Sequence, residues 1–382
     1  MSSKSTIILR PKNLVGLLLA VALVIAAQFL CSEFDIDFLI TSPGVVEEKV
    51  SGDWIRVYFT SPRYPDDEAY HHDGLDERLT AAIDDAATSV DLVAYDFDLP
   101  RVTNALIEAH RRGVAVRVVV ESDNADEEAV GRLIEGDIPV VEDERESGLM
   151  HNKFAVIDDE RVWTGSWNMT LNGTFRNNNN AVLVTSTALA ENYRTEFEEM
   201  FNREFGPTSA PNTPHPNITL TVEIPTPEGE TDQREVKLEN HFSPETEVDD
   251  RIIELIEGAQ DRIRFMAFTF TSEMIADALI ERAEEGIVVQ GVVEARNADR
   301  PYSQYGRIKE AAHDVLEDGN PYIMHHKVII VDDATVILGS YNFTASAEES
   351  NDENVLIVHD PEVAASYVEE FGRVYETART AE

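Results

Sequence analysis

Apolar and polar positions along this chain fall into one long apolar run followed by two copies of the same rhythm. Leu14 to Cys31 is nearly unbroken, with Gln28 its only polar residue. Beyond a polar connector, Ser42 to Asp53, come short apolar runs of strand type and stretches of helical period. Trp54 to Phe59 predicts a strand closing at Ser61-Pro62, Leu79 to Ala87 a helix and Val90 to Tyr95 a strand. Ala105 to Arg112 predicts a helix stopped by Gly113, and Val114 to Val120 a buried strand. The second half repeats the series with Glu235 to Phe242, Ile252 to Ala259, Ile263 to Phe268, Ala278 to Glu281 and Gly286. Each half then adds a strand, Ala181 to Val184 or Val355 to Val358, and a closing helix. Those helices carry Tyr193, Phe197, Phe201 and Tyr367, Phe371, Tyr375 at i, i+4, i+8, one face of a helix directed at a core. Strands alternating with helices predict α/β lobes with a largely parallel sheet in each.

The pattern divides the chain into four parts. Residues 1–41 read as a cytoplasmic tail and a transmembrane anchor, 42–205 as a first lobe, 206–231 as a linker and 232–382 as a second lobe. The linker is expected from Pro207, Pro211, Pro214, Pro216, Pro225 and Pro227 among Thr, Asn and Glu, and a long surface excursion is the other reading. As a helix, residues 14–31 would span about 27 Å, near the hydrocarbon thickness of a bilayer. Lys4, Arg10 and Lys12 precede this run and Glu33, Asp35 and Asp37 follow it. The positive-inside rule then predicts a single-pass protein of the cell membrane with its bulk outside. A cleaved signal peptide, giving a secreted protein, is the competing reading. The one cysteine, Cys31, excludes an intramolecular disulfide.

With 31 basic and 73 acidic residues the formal charge is −42, and only seven residues are lysine. Such acidic, lysine-poor composition resembles that of proteins from salt-loving archaea, where molar salt shortens the Debye length to about 3 Å and screens self-repulsion. It argues against a surface coated with phosphate-binding lysines. It does not exclude nucleic acid as a substrate, because strong salt weakens counterion-driven binding in any case.

Two of the seven lysines lie in the strongest signal of the chain. Met150-His151-Asn152-Lys153 and Met324-His325-His326-Lys327 each open a stretch of the form His-x-Lys-x4-Asp-x6-Gly-Ser-x-Asn. It runs through Asp158, Ser166 and Asn168 in one copy and Asp332, Ser340 and Asn342 in the other. The offset is 325 − 151 = 174 for the histidines and 342 − 168 = 174 for the asparagines, so the copies align without a gap. A buried Lys and a buried His are costly, so a duplication retaining both points to chemistry rather than packing.

This double motif resembles the phospholipase D superfamily of phosphodiesterases over both lobes, from about Trp54 onward. The resemblance implies two pseudo-symmetric α/β lobes with one shared active site between them, no cofactor and no metal. It implies catalytic roles for His151, Lys153, Asp158, His325, Lys327, Asp332 and Glu353, and binding roles for Ser166, Asn168, Asn179, Ser340 and Asn342. The residue types suit that chemistry. A neutral imidazole avoids the repulsion an anionic nucleophile meets at a phosphodiester and can form a phospho-histidine. A second imidazole can protonate the leaving alkoxide. Lysines and amides can hold the non-bridging oxygens. Asp158 and Asp332, each ending an apolar strand, are expected mainly to support structure.

In relatives the polar run after each Asn supplies the group that orients a catalytic histidine. Here the copies differ: Glu353 matches Asn179, since 353 − 174 = 179. A carboxylate partner favours imidazolium. The expectation is therefore that Glu353 keeps His325 protonated as general acid, while His151, beside Asn179, is the nucleophile; the alternative is a carboxylate that assists the nucleophile, which would reverse the two roles. Glu121 and Glu294 also match across the repeat and read as solvated loop residues. Asp73, before Gly74-Leu75, reads as a helix N-cap rather than as a metal ligand with His71 and His72. The substrate expected first is a phospholipid, reached by the membrane anchor. A DNA- or RNA-degrading nuclease, and phosphatidyl transfer as in cardiolipin synthesis, are the alternatives.

Overall fold

The computed structural model describes residues 45–145, 147–226 and 229–381. The apolar segment expected to cross a membrane, residues 14–31, lies outside them. Among the described residues no helix is long and apolar enough to cross a membrane.

The first lobe is a seven-stranded sheet. Its strands are β2 (Ile55–Phe59), β3 (Ser89–Ala94), β4 (Ala115–Val120), β5 (Val140–Glu142), β6 (Lys153–Ile157), β7 (Arg161–Gly165) and β9 (Asn180–Thr185), ordered β2-β9-β7-β6-β3-β4-β5. The second sheet has nine strands. Its equivalent elements are β11 (Thr231–Ser243), β12 (Arg262–Ala267), β13 (Val288–Val293), β14 (Val315–Glu317), β16 (Lys327–Val331), β17 (Thr335–Gly339) and β18 (Glu353–His359). Two more strands, β1 (Val45–Ser51) and β10 (Asn217–Pro225), extend it beyond β11.

Three expectations change here. The sheets are mixed, not largely parallel: β3-β4-β5 and β12-β13-β14 are parallel, but the motif strands β6 and β16 run antiparallel to β3 and β12. A hairpin after each motif strand makes β7 and β17 antiparallel to it as well. Its turn places Asp158 and Asp159 at φ 58 and 54, and Asp332 and Asp333 at φ 53 and 53, the left-handed region that Asp tolerates better than most residues. The stretch expected as a linker supplies β10, in which Ile218, Leu220 and Val222 alternate into the core. Pro207, Pro211, Pro214 and Pro216 precede the strand and Pro225 ends it, where no ladder bond is lost. Likewise, most of the expected polar connector is β1, paired in parallel with β10.

Apolar burial falls into three layers. Helices 75–84, 100–111 and 128–135 cover the outer face of the first sheet, and helices 248–257, 273–284 and 305–312 that of the second. Between the two sheets lies a common core holding the closing helices Thr187–Phe201 and Pro361–Ala381. There Tyr193 packs edge-on against Phe154 and Phe242, one from each lobe, and Tyr367 packs against Phe59. The aromatic faces read from helical spacing thus join the lobes. At about 25 cal/mol per Å² of apolar area, side chains of this size contribute roughly 2–3 kcal/mol each, enough to hold the lobes in one arrangement.

Gly74, not Asp73, is the N-cap of the helix Leu75–Asp84; Asp73 has φ 56 and pairs with His72. His71 stacks on Phe175 and bonds to Asp66. The His71-His72-Asp73 cluster is thereby taken up by local structure.

Candidate active site

Both motif strands aim their first residues at the lobe boundary, where the lobes exchange backbone. The His151 N–H donates to the Asp352 carbonyl at 3.0 Å, and the His325 N–H to the Asn178 carbonyl at 2.9 Å. Two-residue strands β8 (Asn177–Asn178) and β15 (Ile323–Met324) pair in parallel beside this exchange. Each histidine loop is therefore pinned to the polar run of the opposite lobe.

That exchange crosses the side-chain partners as well. His151 Nδ1 donates to the Glu353 carboxylate at 2.7 Å, and His325 Nδ1 donates to Asn179 Oδ1 at 2.9 Å and the Ser166 carbonyl at 3.1 Å. The expected pairing, Glu353 with His325 and Asn179 with His151, is thus reversed. Each orienting group reaches the histidine of the other lobe because the histidine loops swap sides. Both Nδ1 atoms face acceptors, which fixes the tautomer and leaves each Nε2 as the unprotonated nitrogen of the neutral ring.

The two histidines line one cleft of about 750 Å³ together with Asn168, Asn342, Tyr95 and Phe268. Lys153 and Lys327 stand behind them, each 2 % exposed. Lys153 Nζ donates to the His151 carbonyl at 2.6 Å, and Lys327 Nζ to His325 Nε2 at 3.2 Å and the His325 carbonyl at 3.1 Å. Each ammonium also lies over an aromatic ring, Tyr95 at 4.8 Å or Phe268 at 5.0 Å. The same two rings pack against the imidazoles at 4.7 and 4.5 Å. Tyr95 and Phe268 were absent from the sequence-derived set. Their signal was their matched place at the end of equivalent strands, since 268 − 95 = 173.

Burial sets the electrostatics. It pushes both imidazoles down, and the nearby ammonium groups push them further. Burial also lowers Lys153 to about 7 against the pull of Glu353 and Asp96, and lowers Lys327 well below the usual lysine range. It raises Glu353 to about 8 against Lys153 and Lys327. The empty cleft therefore disfavours charge on its cations, and a bound phosphodiester anion restores it. A neutral imidazole with its Nε2 lone pair available, as at His151, is the state a nucleophile at phosphorus needs.

The remaining predicted residues divide by position. Asn168 and Asn342 line the cleft, and the Oδ1 of each is buried without a hydrogen-bond partner among the described residues. Ser166 and Ser340 are fully buried and do not face substrate. Ser166 Oγ donates to Asn179 Oδ1 at 2.9 Å, and Ser340 Oγ accepts from the Asn354 N–H at 3.0 Å and helps hold Glu353. Asn179, also fully buried, orients His325. These three position the site rather than bind substrate.

Asp158 and Asp332 lie at the far ends of the motif strands. Asp158 accepts from the N–H groups of Ala87, Thr88 and Ser89, and Asp332 from those of Gln260, Asp261 and Arg262. Partial burial would raise Asp158, but these backbone bonds outweigh it and bring the carboxyl to about 2. Both are structural clamps without access to the cleft, so the catalytic role implied by resemblance does not extend to them. Glu121 and Glu294 are buried, not solvated: each accepts the backbone N–H before a motif histidine, from Met150 or Met324, at 2.7 Å. A fixed acceptor was needed there because those N–H groups lie where the ladder breaks.

Comparison with known proteins agrees with this geometry. The family described as "Cardiolipin synthase, PLD-like domain" matches residues 79–201 and 252–375, one unit in each lobe. A phospholipase D of Rickettsia felis is 32% identical over 173 residues, 45% of this chain and 80% of that protein. A mitochondrial cardiolipin hydrolase of Xenopus tropicalis is 34% identical over 141 residues, 36% of this chain and 66% of that protein. The crystal structure of phosphatidylserine synthase from Haemophilus influenzae Rd KW20 shares the fold with a TM-score of 0.59 at 14% identity, covering 86% of this chain and 87% of that one.

Proposed function

Since the chain belongs to the family of phospholipase D-like domains, we propose that it is a phosphodiesterase that hydrolyses phospholipids through a phospho-histidine. One observation carries the reading: two histidines from separate lobes line a single cleft, each with its motif lysine behind it and each oriented by the opposite lobe.

With the anionic diester bound, His325 is the imidazolium, protonated on Nε2 as well as Nδ1; His151 Nε2 attacks phosphorus as the bond to the leaving alkoxide breaks, and His325 Nε2 gives that oxygen its proton and becomes neutral. His325 then takes a proton from water, whose oxygen attacks phosphorus and breaks the P–N bond. The partners support this assignment for a different reason from the one expected. A phosphorylated His151 that keeps its Nδ1 proton is a buried cation, and Glu353 offsets its charge. An acid must release its proton, so His325 works better on the neutral acceptors Asn179 and Ser166 than it would on a carboxylate. Lys153, Lys327, Asn168 and Asn342 stabilise the charge on the non-bridging oxygens.

Phospholipid is favoured over nucleic acid by the names of the relatives and by the apolar segment 14–31, which would tether the site to a bilayer. The same segment supports a catalytic unit outside the cell membrane, and the −42 charge supports work at the high salt of a halophile. The test offers the full chain labelled phospholipid vesicles and single-stranded DNA side by side at high salt. Lipid cleavage that His151→Ala abolishes is the expected result. Cleavage of DNA alone favours the nuclease reading, and activity unchanged in His151→Ala refutes the mechanism.

A further inference from the structure

The duplication preserved the chemistry of the cleft but not the charge of its walls. Across the pseudo-two-fold, Asp96, Asp98 and Asp123 of the first lobe correspond to Thr269, Thr271 and Arg296 of the second: 269 − 96 = 173, 271 − 98 = 173 and 296 − 123 = 173. Among the lining residues Asp96, Asp98 and Glu127 form one cluster, and Arg176 and Arg296 form another against the loop that carries Tyr322. The acidic residues crowd one another, and burial together with Asp98 and Glu127 holds the Asp96 carboxyl above its ordinary range. The arginines gather on the loop before His325. Arg176 lies over the Tyr322 ring at 5.8 Å and donates to Asp66 and Asn172, and Arg296 donates to the Pro321 carbonyl at 2.9 Å. Nη2 of Arg176 and Nη1 of Arg296 have no hydrogen-bond partner among the described residues.

A phosphodiester bound between the two His–Lys sets has two arms, and the catalytic groups touch only the phosphate between them, not what each arm carries. We propose that the walls tell them apart by charge: a second phosphate is accepted on the arm over Arg176 and Arg296 and refused on the arm over Asp96, Asp98 and Glu127. The preferred substrate is then a diester with an additional anion on one side only. A polynucleotide, with a phosphate on both sides of every scissile bond, meets the acidic wall wherever it binds. This rests on the phosphodiesterase reading above.

The test follows hydrolysis of bis(p-nitrophenyl) phosphate, whose arms carry no charge, while thymidine dinucleotides compete. TpT has no flanking phosphate, pTpT and TpTp have one on opposite arms, and pTpTp has both. One of pTpT and TpTp should inhibit about fivefold more strongly than TpT, the size of one exposed charge contact. The other should not exceed TpT, and pTpTp should not exceed the better single phosphate. Arg296→Gln should remove the fivefold gain. Glu127→Gln, at an exposed position whose side chain caps no helix, should let pTpTp gain. Equal inhibition by all four, equal gains for pTpT and TpTp, or pTpTp as the strongest competitor overturns the proposal. If the wild type leaves bis(p-nitrophenyl) phosphate intact, the phosphodiesterase reading fails first.

Discussion

Replacing Glu353 by Gln keeps the shape of the group that holds His151 and removes the charge it can take up when that ring becomes a cation. The carboxylate is fully buried and accepts from His151 Nδ1 at 2.7 Å. A hydrogen bond to a charged group contributes about 1.5–3 kcal/mol and a neutral one about 0.5–1.5 kcal/mol. The larger loss comes when phosphorylation makes the ring a cation, because an opposite charge 5 Å away at an effective dielectric of 20 is worth about 3 kcal/mol. Together these predict a transition state raised by about 1.5–3 kcal/mol, roughly a 10- to 150-fold fall in the phosphorylation step. The fold should not suffer. Burial raises the Glu353 carboxyl to about 8, so the folded state keeps a proton that the unfolded chain releases near 4.5. Stability from this group therefore falls as pH rises between about 4.5 and 8, and Gln removes that loss. Rapid-quench single-turnover measurement of bis(p-nitrophenyl) phosphate, with thermal melting as the control for folding, reads both. A single-turnover rate within twofold of wild type, in a protein that melts normally, would refute a charge-based role for Glu353.

Lys153→Met should be inactive yet more stable. Burial lowers Lys153 to about 7, so its charge costs stability fully below that pH and the cost is relieved as pH climbs toward 10.5. Denaturant melts should show a gain of roughly 1–3 kcal/mol at pH 6 that shrinks by pH 10, and a variant less stable than wild type at pH 6 contradicts this. The same titration predicts that inorganic phosphate inhibits less well as pH rises past about 7, where Lys153 loses its proton; an inhibition constant flat from pH 6 to 9 speaks against the lysine as an oxyanion ligand. Asp158→Ala orphans three backbone N–H groups at a turn with φ 58, which should cost about 2–4 kcal/mol in a melt while kcat per folded molecule stays constant. A normal melt with a large fall in kcat would restore Asp158 to the chemistry.

Most of the elements could be read from the sequence because helix and strand periods are local, and the motif because it is repeated at a fixed offset of 174 residues. What escaped was decided by contacts distant in sequence. Nothing local states that Glu353 meets His151: that follows from the exchange in which His151 bonds to Asp352 and His325 to Asn178. The direction of β6 and β16 escaped because it depends on how the chain returns from β5 and β14 to the other side of β3 and β12, which local periods do not record. The strand β10 was legible in the alternation of Ile218, Leu220 and Val222, but the prolines around it masked the signal. Only Pro225 lies within it, as its last residue. Glu121 and Glu294 were read as loop residues because strand ends are commonly solvated, and their burial depends on the histidine loops folding over them.

A single shared site, with His151 as its nucleophile, is tested most directly by trapping the covalent intermediate. The full chain is quenched in alkali during turnover of a phosphodiester labelled at phosphorus, and the modified peptide is located by mass spectrometry. The expected result is one phosphoryl group per chain, on His151. Label on His325, or two groups per chain, would contradict it.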